Sequence, residues 1–229
     1  MSAAPATEPT HAAAAACAGP RPQSLREELA NALSHGLGFL LAVASLPVVM
    51  EVASRHGGRT GALGASVFSA TMMVLYFASM VYHALPHGRA KRWFNRLDHA
   101  AIFLFIAGSY TPFALGALDT PRGLAAFAAV WALALLGMGL KAAGRLRHPL
   151  ASTAIYIALG WLALLAALPT VERIARDGLL LLAAGGAAYL VGAVFFHVDH
   201  RLRYGHFVWH LFVLTGSACH FSAALWHLA

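Results

Sequence analysis

In the stretch "YGHFVWHLFVLTGSACHF", His206 and His210 stand four residues apart, and His220 follows in the same apolar run. On a helix that four-residue spacing puts two imidazoles on one face, within about 6 Å of each other. Two further stretches carry similar chemistry. "FASMVYHALPH" holds Ser79 one turn before His83, and "NRLDHAAIFLF" holds Asp98 beside His99. Three neutral imidazoles are a sufficient primary shell for Zn²⁺, with the fourth position left open for water as in catalytic zinc sites. An acid beside such a cluster can orient an imidazole, hold a metal-bound water or act as a base. A plainer reading stands next to this one: His83 caps a helix end, while His206 and His210 form hydrogen bonds in a wet vestibule.

The elements that must position these residues are membrane spans. The 229 residues are 59% hydrophobic and 11% charged, with repeated runs of eighteen or more residues free of Asp, Glu, Lys and Arg. Lipid offers backbone N–H and C=O groups no solvent partner, so apolar runs of this length are helices. The windows are Asn31 to Ala53, Gly61 to Leu85, Asp98 to Leu118, Gly123 to Leu140, Pro149 to Leu168, Gly178 to His197 and His206 to His227. The expected fold is all-α, a bundle of about seven transmembrane helices. The first 26 residues read as a disordered cytoplasmic tail and 27–229 as the transmembrane domain. That tail lacks a basic leader and is broken by Pro, so it does not resemble a cleaved signal peptide, and Cys17 is not expected to be a lipidation site. Cys219 is the other cysteine, and with one in a tail and one in mid-span no disulfide framework is expected.

If the spans alternate, eleven of the sixteen Lys and Arg residues fall on the side of the N-terminus. They are Arg21, Arg26, Arg89, Lys91, Arg92, Arg96, Lys141, Arg145, Arg147, Arg201 and Arg203. The positive-inside rule then places the N-terminus in the cytoplasm and the C-terminus outside. The formal charge of +7 suits loops lying against anionic headgroups, and nucleic acid is not expected as a partner. In this orientation the end of the second span and the starts of the third and seventh share one cytoplasmic layer. His83, Asp98, His206 and His210 therefore meet at one depth, where an ionisable group is expected to be paired, wet or functional.

Other residues are given quieter roles. Ser34 and His35 open the first span, where capping and packing are expected. His99 points about 100° away from Asp98 on a helix. His220 lies about 15 Å beyond His210 along the same helix, so a hydrogen bond to a neighbouring helix is expected of it. Pro47 and Pro112 are expected to kink their helices, and the glycines of "AAGGAAYLVGA" to mark close helix contact.

The residues fall into four ordered motifs. "ELANALSHGLG" follows E-x2-N-x2-[ST]-H with Glu28, Asn31, Ser34 and His35. "SMVYHAL" is an S-x3-H unit of Ser79 and His83. "LDHAAIFLFIAGSYTPF" carries Asp98 and a Gly-Ser-x-x-Pro turn of Gly108, Ser109 and Pro112, and "HFVWH" closes the set. Together they resemble the hemolysin III branch of the progestin and adipoQ receptor family. The resemblance implies a seven-helix fold with a cytoplasmic N-terminus, in agreement with the charge bias. It also implies zinc held by His83, His206 and His210, with Asp98 and Ser79 contacting or positioning the metal-bound water. The family is similar to alkaline ceramidases, which implies hydrolysis of an amide or ester bond in an acyl lipid at a cell membrane, the bacterial inner membrane in the first instance. Two other classes stand beside that expectation: a membrane sensor, regulator or receptor-like protein with structural zinc, and a pore-forming hemolysin.

Overall fold

The computed structural model describes residues 21–228. The tail before residue 21, with Cys17 and the disorder expected of it, lies outside the described residues. Seven helices follow in order: α1 (Leu25–His56), α2 (Gly58–Ala84), α3 (Arg89–Ala114), α4 (Pro121–Ala142), α5 (Pro149–Ala167), α6 (Arg176–Val198) and α7 (Gly205–Leu228). Short 3-10 segments extend α3 over Leu115–Ala117 and α5 over Leu168–Arg173. All seven helices are long and apolar enough to cross a membrane, and no strand occurs among the described residues. The chain is a multi-pass membrane protein.

Local chemistry sets the helix starts. Ser24 caps α1 through a capping box in which its Oγ accepts from Glu27 N and the Glu27 carboxylate accepts from Ser24 N at 2.9 Å. Thr120 caps α4 ahead of Pro121 at the first helical position, where a missing N–H costs nothing. The α1 start lies six residues before the apolar window that begins at Asn31. Its first turns carry charges that are paired within the protein, so a hydropathy window does not see them.

Consecutive helices pack against each other, and α1 also packs on α7. α3 lies inside the bundle and touches α2, α4, α5 and α7, with about two thirds of its apolar window buried (67%). One core cluster joins α1, α2, α3 and α7 through Ala42, Phe68, Met72, Tyr76, Phe105 and Val213. A second joins α3, α4 and α5 around Phe103, Tyr110, Val130 and Leu159. The outer surfaces are equally apolar: Leu25, Leu29, Leu33, Leu37 and Leu41 form an exposed stripe at every fourth residue of α1. In water such a stripe would be a liability, but in lipid it is the ordinary solvated face.

Small residues set how closely the helices approach. Gly108 of α3 lies against Thr71 of α2, and a Cβ there would overlap the threonine side chain. On α6, Gly185 faces His220 and a Cβ on Gly192 would come within 2.7 Å of Trp209, both on α7, so these two glycines mark close contacts as expected. The Gly-Ser-x-x-Pro stretch is not a turn: α3 runs unbroken through Pro112 to Ala114, and Pro47 is likewise internal to α1. A cavity of about 340 Å³, lined by His56, Thr60, Pro112 and His227 among others, lies at the end of the bundle opposite the histidine layer.

Replacing Gly108 with Ala therefore forces α2 and α3 apart. Overpacking of this kind costs about 1–3 kcal/mol, and the thermal midpoint of the detergent-solubilised protein is expected to fall by several degrees, while Gly139→Ala, which meets open space, leaves it unchanged.

Candidate metal centre

His83 is the penultimate residue of α2, and His206 and His210 lie in the first two turns of α7. Their rings gather at centroid separations of 5.0 Å (His83 to His206), 4.9 Å (His83 to His210) and 4.8 Å (His206 to His210). One ring nitrogen from each lies within 4.8 Å of the others, so the three form a group that could hold a metal ion. His83 and His210 are buried, 3% and 1% exposed.

The hydrogen bonds decide which nitrogen each ring offers. His83 Nδ1 donates to Glu28 Oε2 at 2.8 Å, and His206 Nδ1 donates to Asp199 Oδ2 at 2.8 Å. His210 Nδ1 donates to the Asn31 carbonyl at 3.2 Å, with Ser34 Oγ at 3.0 Å. Carboxylates and carbonyls only accept, so all three Nδ1 atoms carry the proton and the lone pair of each neutral ring sits on Nε2. The Nε2 of His83 is buried without a hydrogen-bond partner. The donor set thus fits a metal ion: three imidazoles in one tautomer, each held from behind by an acceptor. Zinc, which takes imidazole nitrogens, is an ion that such a donor set would suit.

The supporting residues come from α1 and from the α6–α7 connection. Glu28 also faces Lys91 Nζ at 3.1 Å, and that ammonium donates to the Tyr82 and Leu85 carbonyls at the end of α2. Glu27, 2% exposed, accepts from Arg21 at 2.7 and 2.8 Å and from Tyr204 N at 2.8 Å. Tyr204 has a φ of 58°, a left-handed conformation uncommon for a non-glycine residue. Its bond to Glu27 fastens that bend to α1 two residues before His206. Spacing within single spans did not reveal these partners. The local signals were the Ser24-x-x-Glu27 capping box, which marks where α1 begins, and the E-x2-N-x2-[ST]-H motif, which picks out Glu28, Asn31 and Ser34 without showing what they contact.

Asp98 is buried (9% exposed) in α3, within electrostatic reach of His83. It is not one of the three converging donors, and its Oδ2 lies 3.9 Å from His99 Nδ1. Ser79, one turn before His83 on the same face of α2, is fully buried and its Oγ has no hydrogen-bond partner. His99 Nδ1 donates to the Asn95 carbonyl of its own helix at 2.8 Å. His220 Nε2 donates to the Leu182 carbonyl of α6 at 3.3 Å, the neighbouring-helix bond expected of it. Ser34 and His35 do not cap α1, since Ser24 does; they lie in its third turn, Ser34 against His210 Nδ1 and His35 stacked on the His210 ring.

A membrane-spanning helix bundle with a triad of histidines, two of them buried, defines the class. The chain belongs to the haemolysin-III-related family, whose model matches residues 23–221. It is 40% identical over 206 residues to Hemolysin-3 of Bacillus cereus, covering 90% of this chain and 94% of that one. It is 36% identical over 204 residues to the Hemolysin-3 homolog of Bacillus subtilis (strain 168), covering 89% and 95%. The human Monocyte to macrophage differentiation factor is 25% identical over 206 residues, 86% of this chain and 82% of that protein, consistent with a link to the progestin and adipoQ receptor superfamily. No solved structure matches the chain.

Removing an acceptor behind a ligating imidazole typically lowers metal affinity about 10- to 100-fold. Glu28→Gln and Asp199→Asn are each expected to do so when a divalent metal is titrated into the purified protein against a competing chelator. Glu51→Gln, which breaks an exposed pair with Arg55 at the other end of α1, is expected to leave that affinity unchanged.

Proposed function

We propose that this protein is a zinc-dependent membrane hydrolase that cleaves an amide or ester bond of an acyl lipid. The observation that carries the reading is the convergence of three Nδ1-protonated imidazoles beside a buried acid, Asp98, and a buried hydroxyl without a partner, Ser79. A zinc ion held by His83, His206 and His210 would polarise a carbonyl and lower the pKa of a water molecule. The remaining work falls to the chain itself. Asp98, low in dielectric surroundings and close to His83, accepts or relays the proton that water gives up. Ser79, one turn before His83 on α2, donates a hydrogen bond to the developing oxyanion or to the water. Glu28, Asp199 and the Asn31 carbonyl hold the three rings in one tautomer.

The basic residues favour an orientation in which this layer faces the cytoplasm. The lipid substrate would enter from the bilayer, and no nucleic acid takes part. The protein would sit in the inner membrane of a bacterium and act on its lipid composition. A second reading has one observation in its favour. The triad joins α2 to α7, so zinc could pin two helices of a sensor or regulator without turning over any substrate.

Metal analysis and lipid turnover separate these. Purified wild type is expected to hold one zinc per chain, and the His206→Ala, His210→Ala double variant none. Zinc-loaded wild type is expected to release fatty acid from a panel of ceramides and phospholipids. Asp98→Ala should keep its zinc and lose about 10²–10⁴-fold in rate. A zinc-loaded wild type that turns over no lipid in a broad panel supports the sensor instead.

A further inference from the structure

Another imidazole packs directly against the triad: His35, 3% exposed, on the inner face of α1. Its ring stacks on that of His210 with centroids 3.6 Å apart and planes 6° from parallel, and Tyr76 meets its edge at 5.1 Å. Both of its ring nitrogens are buried with no hydrogen-bond partner. The main chain of His210 passes nearby but out of hydrogen-bonding geometry.

Stacking rules out the simplest use of those nitrogens. An imidazole nitrogen ligates along a lone pair lying in the plane of its ring. Lone pairs of two stacked, parallel rings lie in separate planes and do not converge on one point. His35 therefore cannot complete the shell begun by His210, and it is absent from the converging group. Packing is no better an explanation. An unpaired buried polar atom costs about 1–3 kcal/mol, and a phenyl ring would fill the same stack with none. Other unpaired buried atoms share the layer: Asn31 Oδ1, Ser79 Oγ and His83 Nε2. Polar atoms left bare in one buried place mark the seat of a polar group that arrives from outside.

We infer that His35 is the hydrogen-bonding contact for the carbonyl or carboxylate oxygen of an acyl lipid seated at the histidine triad. The inference rests on reading the triad as a centre for acyl lipids. Neutral imidazole has one N–H to donate, and the stack on His210 holds it alongside the triad. Ser79, on the opposite helix α2, supplies a second donor from another direction. His35 thus selects ligands by an oxygen acceptor, and its substitution affects binding rather than metal content.

The test uses full-length, zinc-loaded protein in detergent, with palmitate as the probe because its carboxylate is the group that hydrolysis leaves on an acyl chain. His35→Phe keeps the stack and removes both nitrogens; His35→Gln keeps a donor and an acceptor. The expected result is unchanged zinc in both variants. Palmitate binding should weaken about tenfold or more in His35→Phe, as for loss of a hydrogen bond to a charged group, and less in His35→Gln. The thermal midpoint of His35→Phe without lipid should not fall, because no existing hydrogen bond is lost. Loss of zinc in His35→Phe, palmitate binding equal to wild type, or a lowered midpoint in both variants overturns the inference. So does a wild type that does not bind palmitate. Failure of the hydrolytic reading is distinguishable: a wild type that binds palmitate through His35 yet cleaves no lipid removes catalysis and leaves the contact standing.

Discussion

Within a membrane an imidazole N–H has no water to donate to, and the structure depends on how three such protons are accommodated. Each Nδ1–H of the triad has its own acceptor: Glu28 and the Asn31 carbonyl in the first two turns of α1, and Asp199 directly after α6. An unpaired polar group in such a place costs several kcal/mol, so these bonds are as necessary to the fold as to the site. They leave Nε2 as the single free nitrogen of each ring. One constraint thereby sets tautomer, ring orientation and the point on which the lone pairs converge.

Roughly the first three turns of α1 act as the back wall of the centre. Glu27 fastens the bend at Tyr204 and with it the start of α7. Glu28 holds His83 and pairs with Lys91, which in turn caps the end of α2. Asn31 and Ser34 hold His210, and His35 covers its face. These residues recur at helical spacing, so one face of α1 reaches both α2 and α7. The opposite face of the same helix is the exposed leucine stripe. The two faces explain how a helix with charged first turns still behaves as a membrane span.

Much of this was legible in the sequence. The seven apolar windows correspond one to one with the seven helices, because charge-free runs of that length have no other stable state in lipid. His83, His206 and His210 could be brought together from span order and i,i+4 spacing alone. Their partners could not. Glu28 and Asp199 lie outside the apolar windows, where an acid usually meets solvent, and nothing local shows that each turns back onto a histidine. Ser34 and His35 were read as the opening of the first span because the apolar window begins at Asn31. The helix begins at Leu25, since the capping box and the Arg21 pair satisfy its charged first turns, and that shift moves both residues from an end to an interior face. Gly108, Ser109 and Pro112 were read as a turn from the Gly-Ser-x-x-Pro motif, although α3 runs on through the proline.

The most direct test of the account is X-ray absorption at the zinc edge of the purified, metal-loaded protein. The account predicts a shell of three imidazole nitrogens and one oxygen ligand at roughly 2.0–2.1 Å, reduced by one imidazole in His83→Ala. A shell of sulfur or of oxygen alone, or one unaltered by His83→Ala, would contradict it.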